Sequence, residues 1–310
     1  MDNCTSTLNC TSELKSAGFA VFCILMSLVI ASAILLDVLT IAGLLLQSAM
    51  PRLLKVLLLN LLTASIISGI VWGVINLYGI VLVLSEISDP FDPICRVGIF
   101  LYATSSVLRM FTVATFSVAV FLVVKYGPRP MKSRSIAALV IGLWCGATCL
   151  DIHILIPYVW ASQYVGGVAC FPHTDEQVIR QLRYTFTAIW CTFGGLIPLA
   201  VCTAVPIICL CYIRYHTGSD NDVYKKAMAK LALFLMIGSL INILGQAVPG
   251  VITHFSQSQA VYVTYTLVVL SLLPTPIAIL IFLKPVRDAL KTTIINKIGK
   301  GNLASGIFSK

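Results

Sequence analysis

Arg109 is the residue with the most chemistry to account for. It stands in TSSVLRMFTVATF (104–116), near the middle of an apolar run from Val97 to Val124. A charged side chain at the centre of a membrane span is unfavourable by about 2.5–3.5 kcal/mol on insertion scales, so it requires an inward position and a partner. Two acids lie well inside apolar runs, Asp37 in ILLDVLTI and Asp151 in CLDIHIL. Depth separates them. Arg109 lies fourteen residues beyond Cys95, roughly 21 Å along a helix, and Asp37 about eighteen residues into its own run, roughly 27 Å. Asp151 is only about nine residues from the end of its run near residue 160. Asp37 is therefore the predicted partner, met directly or through Ser65 and water, because arginine stays charged and can give a carboxylate two parallel hydrogen bonds.

Other reactive groups are sparse. His153, His173, His216 and His254 are scattered, and there is no CxxC, no HExxH, no GxGxxG after a strand and no P-loop lysine motif. No metal site, cofactor or enzymatic activity is expected. Of the eleven cysteines, Cys23, Cys145, Cys149, Cys191, Cys202, Cys209 and Cys211 lie in apolar runs, where a thiol behaves as a small hydrophobe. Asn3-Cys4-Thr5 and Asn9-Cys10-Thr11 are sequons, so Asn3 and Asn9 are predicted glycosylation sites. Cys4 and Cys10 pair with each other or with nothing.

The elements that must position these residues are long and apolar. The 310 residues are 58% hydrophobic and 11% charged, against about a quarter charged in a soluble domain. Crossing about 30 Å of hydrocarbon takes about 20 helical residues, and stretches that long occur at about 19–46, 54–84, 96–125, 135–160, 183–214, 226–253 and 259–283. This predicts an all-α membrane protein with a seven-transmembrane helix bundle over 19–283, a polar tail over 1–18 and a cytoplasmic segment over 284–310. The first run is too long for a signal-peptide core and reads as a retained anchor.

Charge sets the orientation. Of the 21 lysines and arginines, sixteen fall on one side, in the segments around Arg52, Lys125, Lys225 and beyond Lys284, whereas Lys15, Arg96, Arg180 and Arg183 fall on the other. The positive-inside rule puts the N-terminus outside, in a multi-pass protein of the plasma membrane. The net charge of +9 faces the anionic inner leaflet and cytosolic partners, which excludes a nucleic-acid reading. Cys95 and Cys170 then both lie on the oxidising side, where a bridge can form; two unpaired thiols are the other reading.

Seven such runs, with an exterior N-terminus, an exterior cysteine opening the third run and a second in the next exterior loop, resemble a rhodopsin-like (class A) G-protein-coupled receptor. VLLLNLLTAS (56–65) resembles the family's second helix, and Trp144 sits where the fourth carries its tryptophan. LPTPIAILIFLKPVRDAL (273–290) is similar to the seventh helix running into a short amphipathic eighth helix. The resemblance covers roughly residues 20–296. It departs at the coupling motifs: Ala119, Val120 and Phe121 replace the acid, arginine and tyrosine ending helix three, and Thr275, Pro276 and Ile279 stand in the helix-seven motif. Pro249 matches the helix-six proline, with Ala247 where a tryptophan is usual. The retinal lysine of opsins would fall at Val269 and the aspartate of aminergic receptors at Tyr102, so neither ligand class is implied.

The resemblance also implies a polar ring around mid-membrane, where relatives commonly hold a sodium ion. Its positions here are Asp37, Ser65, Arg109, Ser271 and Thr275, and the Arg109 guanidinium would take the place of the ion. A ligand cavity is implied between the outer halves of helices three, five, six and seven, lined by Tyr102, Ser106, Trp190, His254, Tyr262 and Tyr265. That lining is aromatic with few charges and suits a small, mostly apolar molecule. The expected function is signal transduction for an unidentified small ligand, with a heterotrimeric G protein as partner. The alternative is a coupling-deficient decoy, scavenger or receptor partner; a transporter or channel fits less well, because paired interrupted helices are lacking.

Overall fold

The computed structural model of the protein describes residues 17–47, 50–85, 93–128, 131–155, 161–165, 169–173, 185, 188–216, 223–251, 263 and 266–293. Its helices are α1 (Ala17–Leu46), α2 (Arg52–Ser85), α3 (Pro93–Tyr126), α4 (Ser133–Asp151), α5 (Ile197–His216), α6 (Val223–Val251) and α7 (Pro274–Phe282). The expected sequons at Asn3 and Asn9 lie outside the described residues.

The apolar runs become helices because an unpaired backbone polar group is intolerable in hydrocarbon, and a helix pairs its own. Five helices are long and apolar enough to cross a bilayer, and the bent pair Thr266–Phe282 with Lys284–Thr293 makes a further candidate. The surface agrees with lipid as solvent. Leu28, Ile141 and Leu196 are each more than 60% exposed, whereas Asp37, Arg109, Asn242 and Ser271 are buried. The chain is a multi-pass membrane protein.

α3 stands at the centre. Residues 102–110 are buried without interruption, and α3 packs against α2, α4, α5 and α6. On its C-terminal half, Val113, Phe116 and Val120 join Leu54, Leu57 and Leu61 of α2 and Met228, Leu231 and Leu235 of α6 in one apolar cluster. Asn60 crosses that region with polar contacts: its amide donates to Thr112 Oγ1 at 2.8 Å and its carbonyl accepts from Trp144 Nε1 at 2.9 Å. One asparagine thus ties α2 to both α3 and α4.

Two expectations are corrected. The fourth run does not continue as α-helix to residue 160, because α4 ends at Asp151 and passes into a 3-10 turn over Ile152–Leu155. The chain is also not wholly α. Strands β1 (Ala161–Val165) and β2 (Ala169–His173) form an antiparallel hairpin in the following loop, pairing Tyr164 with Cys170. Both strands contact α3. A loop outside the hydrocarbon can pair its backbone this way, and a period-3.6 reading of apolar runs does not register it.

Residues 284–293 are helical and lie at 90° to Thr266–Phe282. The turn is accommodated by Gly43 of α1, where an added Cβ would stand 2.8 Å from both Leu290 Cγ and Val286 Cγ1. Gly43→Ala is therefore expected to destabilise the purified protein by about 1–3 kcal/mol, read as a lower thermal midpoint. Leu290→Ala in the same background should recover only part of the loss, because Val286 Cγ1 still stands 2.8 Å from the added Cβ.

Candidate functional site in the bundle core

Helix seven breaks where Arg109 reaches it. Residues 271–273 are non-helical, and Pro274 and Pro276, which lack N–H groups, stand directly after the break. The Ser271 carbonyl instead accepts a hydrogen bond from Arg109 Nη2 at 2.5 Å, while Arg109 Nη1 lies 3.4 Å from Ser271 Oγ. The i→i+3 turn that closes on the Val268, Val269 and Leu270 carbonyls would next need an N–H at position 274, which Pro274 lacks, and the guanidinium takes the Ser271 carbonyl instead.

From Ser271 the polar contacts run outward. Ser271 Oγ donates to the Val268 carbonyl at 2.7 Å and lies 3.4 Å from Asn242 Oδ1, which accepts from the Tyr102 hydroxyl at 3.0 Å. Tyr102 and Arg109 are seven residues apart on α3, two turns or about 10 Å along one face. The Tyr102 ring meets Trp72 edge-on, with centroids 5.1 Å apart. The sequence reading missed Asn242, although an asparagine in an apolar run is itself a signal of an inward polar contact. It also missed the Ser68 to Ser105 bond of 2.7 Å between α2 and α3, and Asn76, which donates to the Cys23 carbonyl at 2.9 Å and bonds Ser27.

The residues of the predicted ring are placed as follows. Asp37, Ser65, Arg109, Ser271 and Thr275 are all buried, in four different helical segments. A direct two-bond pair between Asp37 and Arg109 is absent. Neither carboxylate oxygen of Asp37 accepts a hydrogen bond, and Ser65 Oγ makes none. The Ser65 hydroxyl and the Arg109 charge both act on the carboxylate, but the guanidinium is committed to Ser271. The competing acceptor is a backbone carbonyl, invisible in a list of side chains.

The other expected site residues divide by position. Tyr102 and Ser106 are buried on α3, and Trp190 is half-buried at the start of a π-helical stretch, Trp190–Leu196, that leads into α5. His254, Tyr262 and Tyr265 lie outside the described residues. The backbone of Cys95 lies in the first turn of α3 and that of Cys170 in β2; their side chains are outside the description. Toward the C-terminal end of α3, Ala119 and Val120 are buried and Phe121 half-buried, and Pro276 and Ile279 are buried in α7. Val120 packs in the apolar cluster with Leu54, Val124 and Met228.

The chain matches no family model, and no curated protein sequence matches it. Among solved structures it is similar to the crystal structure of squid rhodopsin, with a TM-score of 0.70 at 12% sequence identity, over 88% of this chain and 83% of that one. The protein therefore has a rhodopsin-like fold.

Proposed function

We propose that this protein is a divergent rhodopsin-like receptor of the plasma membrane, with seven spans and an extracellular N-terminus, that transmits the binding of a small ligand to a heterotrimeric G protein. The observation that carries the reading is the connection Tyr102, Asn242, Ser271, Arg109, which links α3, α6 and the break in helix seven. A ligand that displaces the Tyr102 hydroxyl frees Asn242, weakens the hold on Ser271 and lets Arg109 turn toward Asp37 and Ser65. Arg109 thus has two acceptors in reach of one side chain, and the segment it releases is the broken part of helix seven. This is the two-state element that a receptor needs.

In this reading Cys95 and Cys170 are bridged, which fixes the hairpin to the outer end of α3, and Asn3 and Asn9 carry glycans. Residues 284–293 lie along the inner membrane surface as the short amphipathic eighth helix. The chain performs no catalysis. Its ligand is small and mostly apolar.

A second reading is favoured by one feature, the valine at position 120. Where an arginine would offer a charged contact, Val120 is buried among Leu54, Val124 and Met228, as suits a receptor-like decoy or receptor partner that does not couple. An agonist-independent activation assay across the main G-protein classes, with Val120→Arg beside the parent, separates the two. Activation by the parent above mock-transfected cells, raised further by Val120→Arg, is the expected result. Silence in both chains would assign the decoy reading.

A further inference from the structure

Asp151 has no part in the polar core just described, yet it is fully buried. It is the last residue of α4, and the next N–H, that of Ile152, is spent on the Thr148 carbonyl. A carboxylate is badly placed there. The C-terminal end of a helix carries unpaired carbonyls and the negative pole of its dipole, so it favours a cation. Both carboxylate oxygens of Asp151 lack a hydrogen-bond partner, and so does the hydroxyl of Thr104, which is 5% exposed on the neighbouring α3. The Thr104 hydroxyl and the Trp190 indole both bear on the carboxylate, though outside hydrogen-bonding geometry. Arg109, the described cation inside the bundle, is engaged at Ser271.

Trp190 opens the π-helical stretch Trp190–Leu196, whose wider turn changes the register of the residues before it relative to α5. The fit to α3 is close there, since a Cβ at Gly194 would lie 3.3 Å from Val107 Cγ2. An orphaned carboxylate, an orphaned hydroxyl and an aromatic ring therefore converge from three helical segments. We propose that Asp151, Thr104 and Trp190 form a binding site for a monovalent cationic group, either a sodium ion or the ammonium head of a small ligand. One carboxylate matches one positive charge. A divalent ion would want more anionic oxygens, and no cluster of three His, Cys, Asp or Glu occurs among the described residues. The oxygens serve either source.

The site stands whether or not the chain couples to a G protein, so its test is binding and not signalling. The purified full chain in detergent micelles is heated in choline chloride, in sodium chloride, and in choline chloride with added methylammonium or phenethylammonium. The parent should gain about 3 °C in its midpoint from sodium or from one of the ammonium probes at saturating concentration. A response to sodium assigns the ion, and a response to the ammonium probe alone assigns a ligand head group. Asp151→Asn should abolish the gain, and Asp37→Asn should leave it intact. Should Asp151→Asn fail to fold, Thr104→Val serves, with half-saturation shifted about ten-fold to higher cation. No gain in the parent would overturn the proposal. So would a gain that Asp151→Asn or Thr104→Val leaves unchanged, or one that only Asp37→Asn removes.

Discussion

Replacing Arg109 with leucine should reduce surface expression to background and cost about 3–5 kcal/mol of stability, the range for removing one member of a buried charged pair. Two acceptors are stranded at once. The Ser271 carbonyl loses its 2.5 Å donor at the break in helix seven, and Asp37, 1% exposed with no hydrogen bond of its own, loses the positive charge nearby. The rescue pattern discriminates between models of the core. If the two residues acted only as an ion pair, exchanging their charges by Asp37→Arg with Arg109→Asp would restore expression. The structure predicts that it will not, because a carboxylate at position 109 would face the Ser271 carbonyl, acceptor against acceptor. Arg109→Gln with Asp37→Asn should recover much more, since an amide still donates to that carbonyl and no unpaired charge remains. Expression and thermal midpoints of the two double variants decide the matter; recovery by the charge exchange and not by the amides would refute this arrangement.

Asn60→Ala should be strongly destabilising for an uncharged polar residue, at about 2–4 kcal/mol. It deletes a buried hydrogen bond of 2.8 Å to Thr112 and a part-buried one of 2.9 Å from Trp144, and leaves the indole N–H without its partner, an orphaned buried group being worth about 1–3 kcal/mol. Thr112 is better protected because its hydroxyl also donates to the Leu108 carbonyl at 2.7 Å. Trp144→Phe removes only the indole donor and should cost about 1 kcal/mol. Because both changes break the same bond, the double variant should lose less than the sum of the two. Strict additivity in thermal unfolding of the purified protein would mean that Asn60 does not join α2 to α4.

The legible part of this protein was what hydrocarbon demands of a chain. Uninterrupted apolar runs predict helices because lipid offers no hydrogen bonds, and those predicted from residues 19, 54 and 96 begin within three residues of the observed α1, α2 and α3. The end of α4 and the hairpin were not legible, since both lie where water or another strand can pair the backbone and the apolar pattern carries no weight. In the site, composition alone marked Arg109 and Asp37 as inward-facing. Asn60 and Asn242 carried the same signal more quietly: an amide in an apolar run is costly enough to need a partner, but without a charge it draws less notice.

The sequence by itself determined that this is a membrane bundle with a guanidinium, a carboxylate and several hydroxyls turned inward. Those follow from transfer free energies, which depend on residue type and run length and not on neighbours. Only the tertiary structure decided who meets whom. Arg109 bonds a carbonyl of helix seven and not the Asp37 carboxylate, and Asp151 comes to rest against Thr104 and Trp190 with its oxygens unspent. Partner choice turns on which acceptor the packed bundle brings to the guanidinium, and a backbone carbonyl left without a donor at Pro274 has no letter in the sequence.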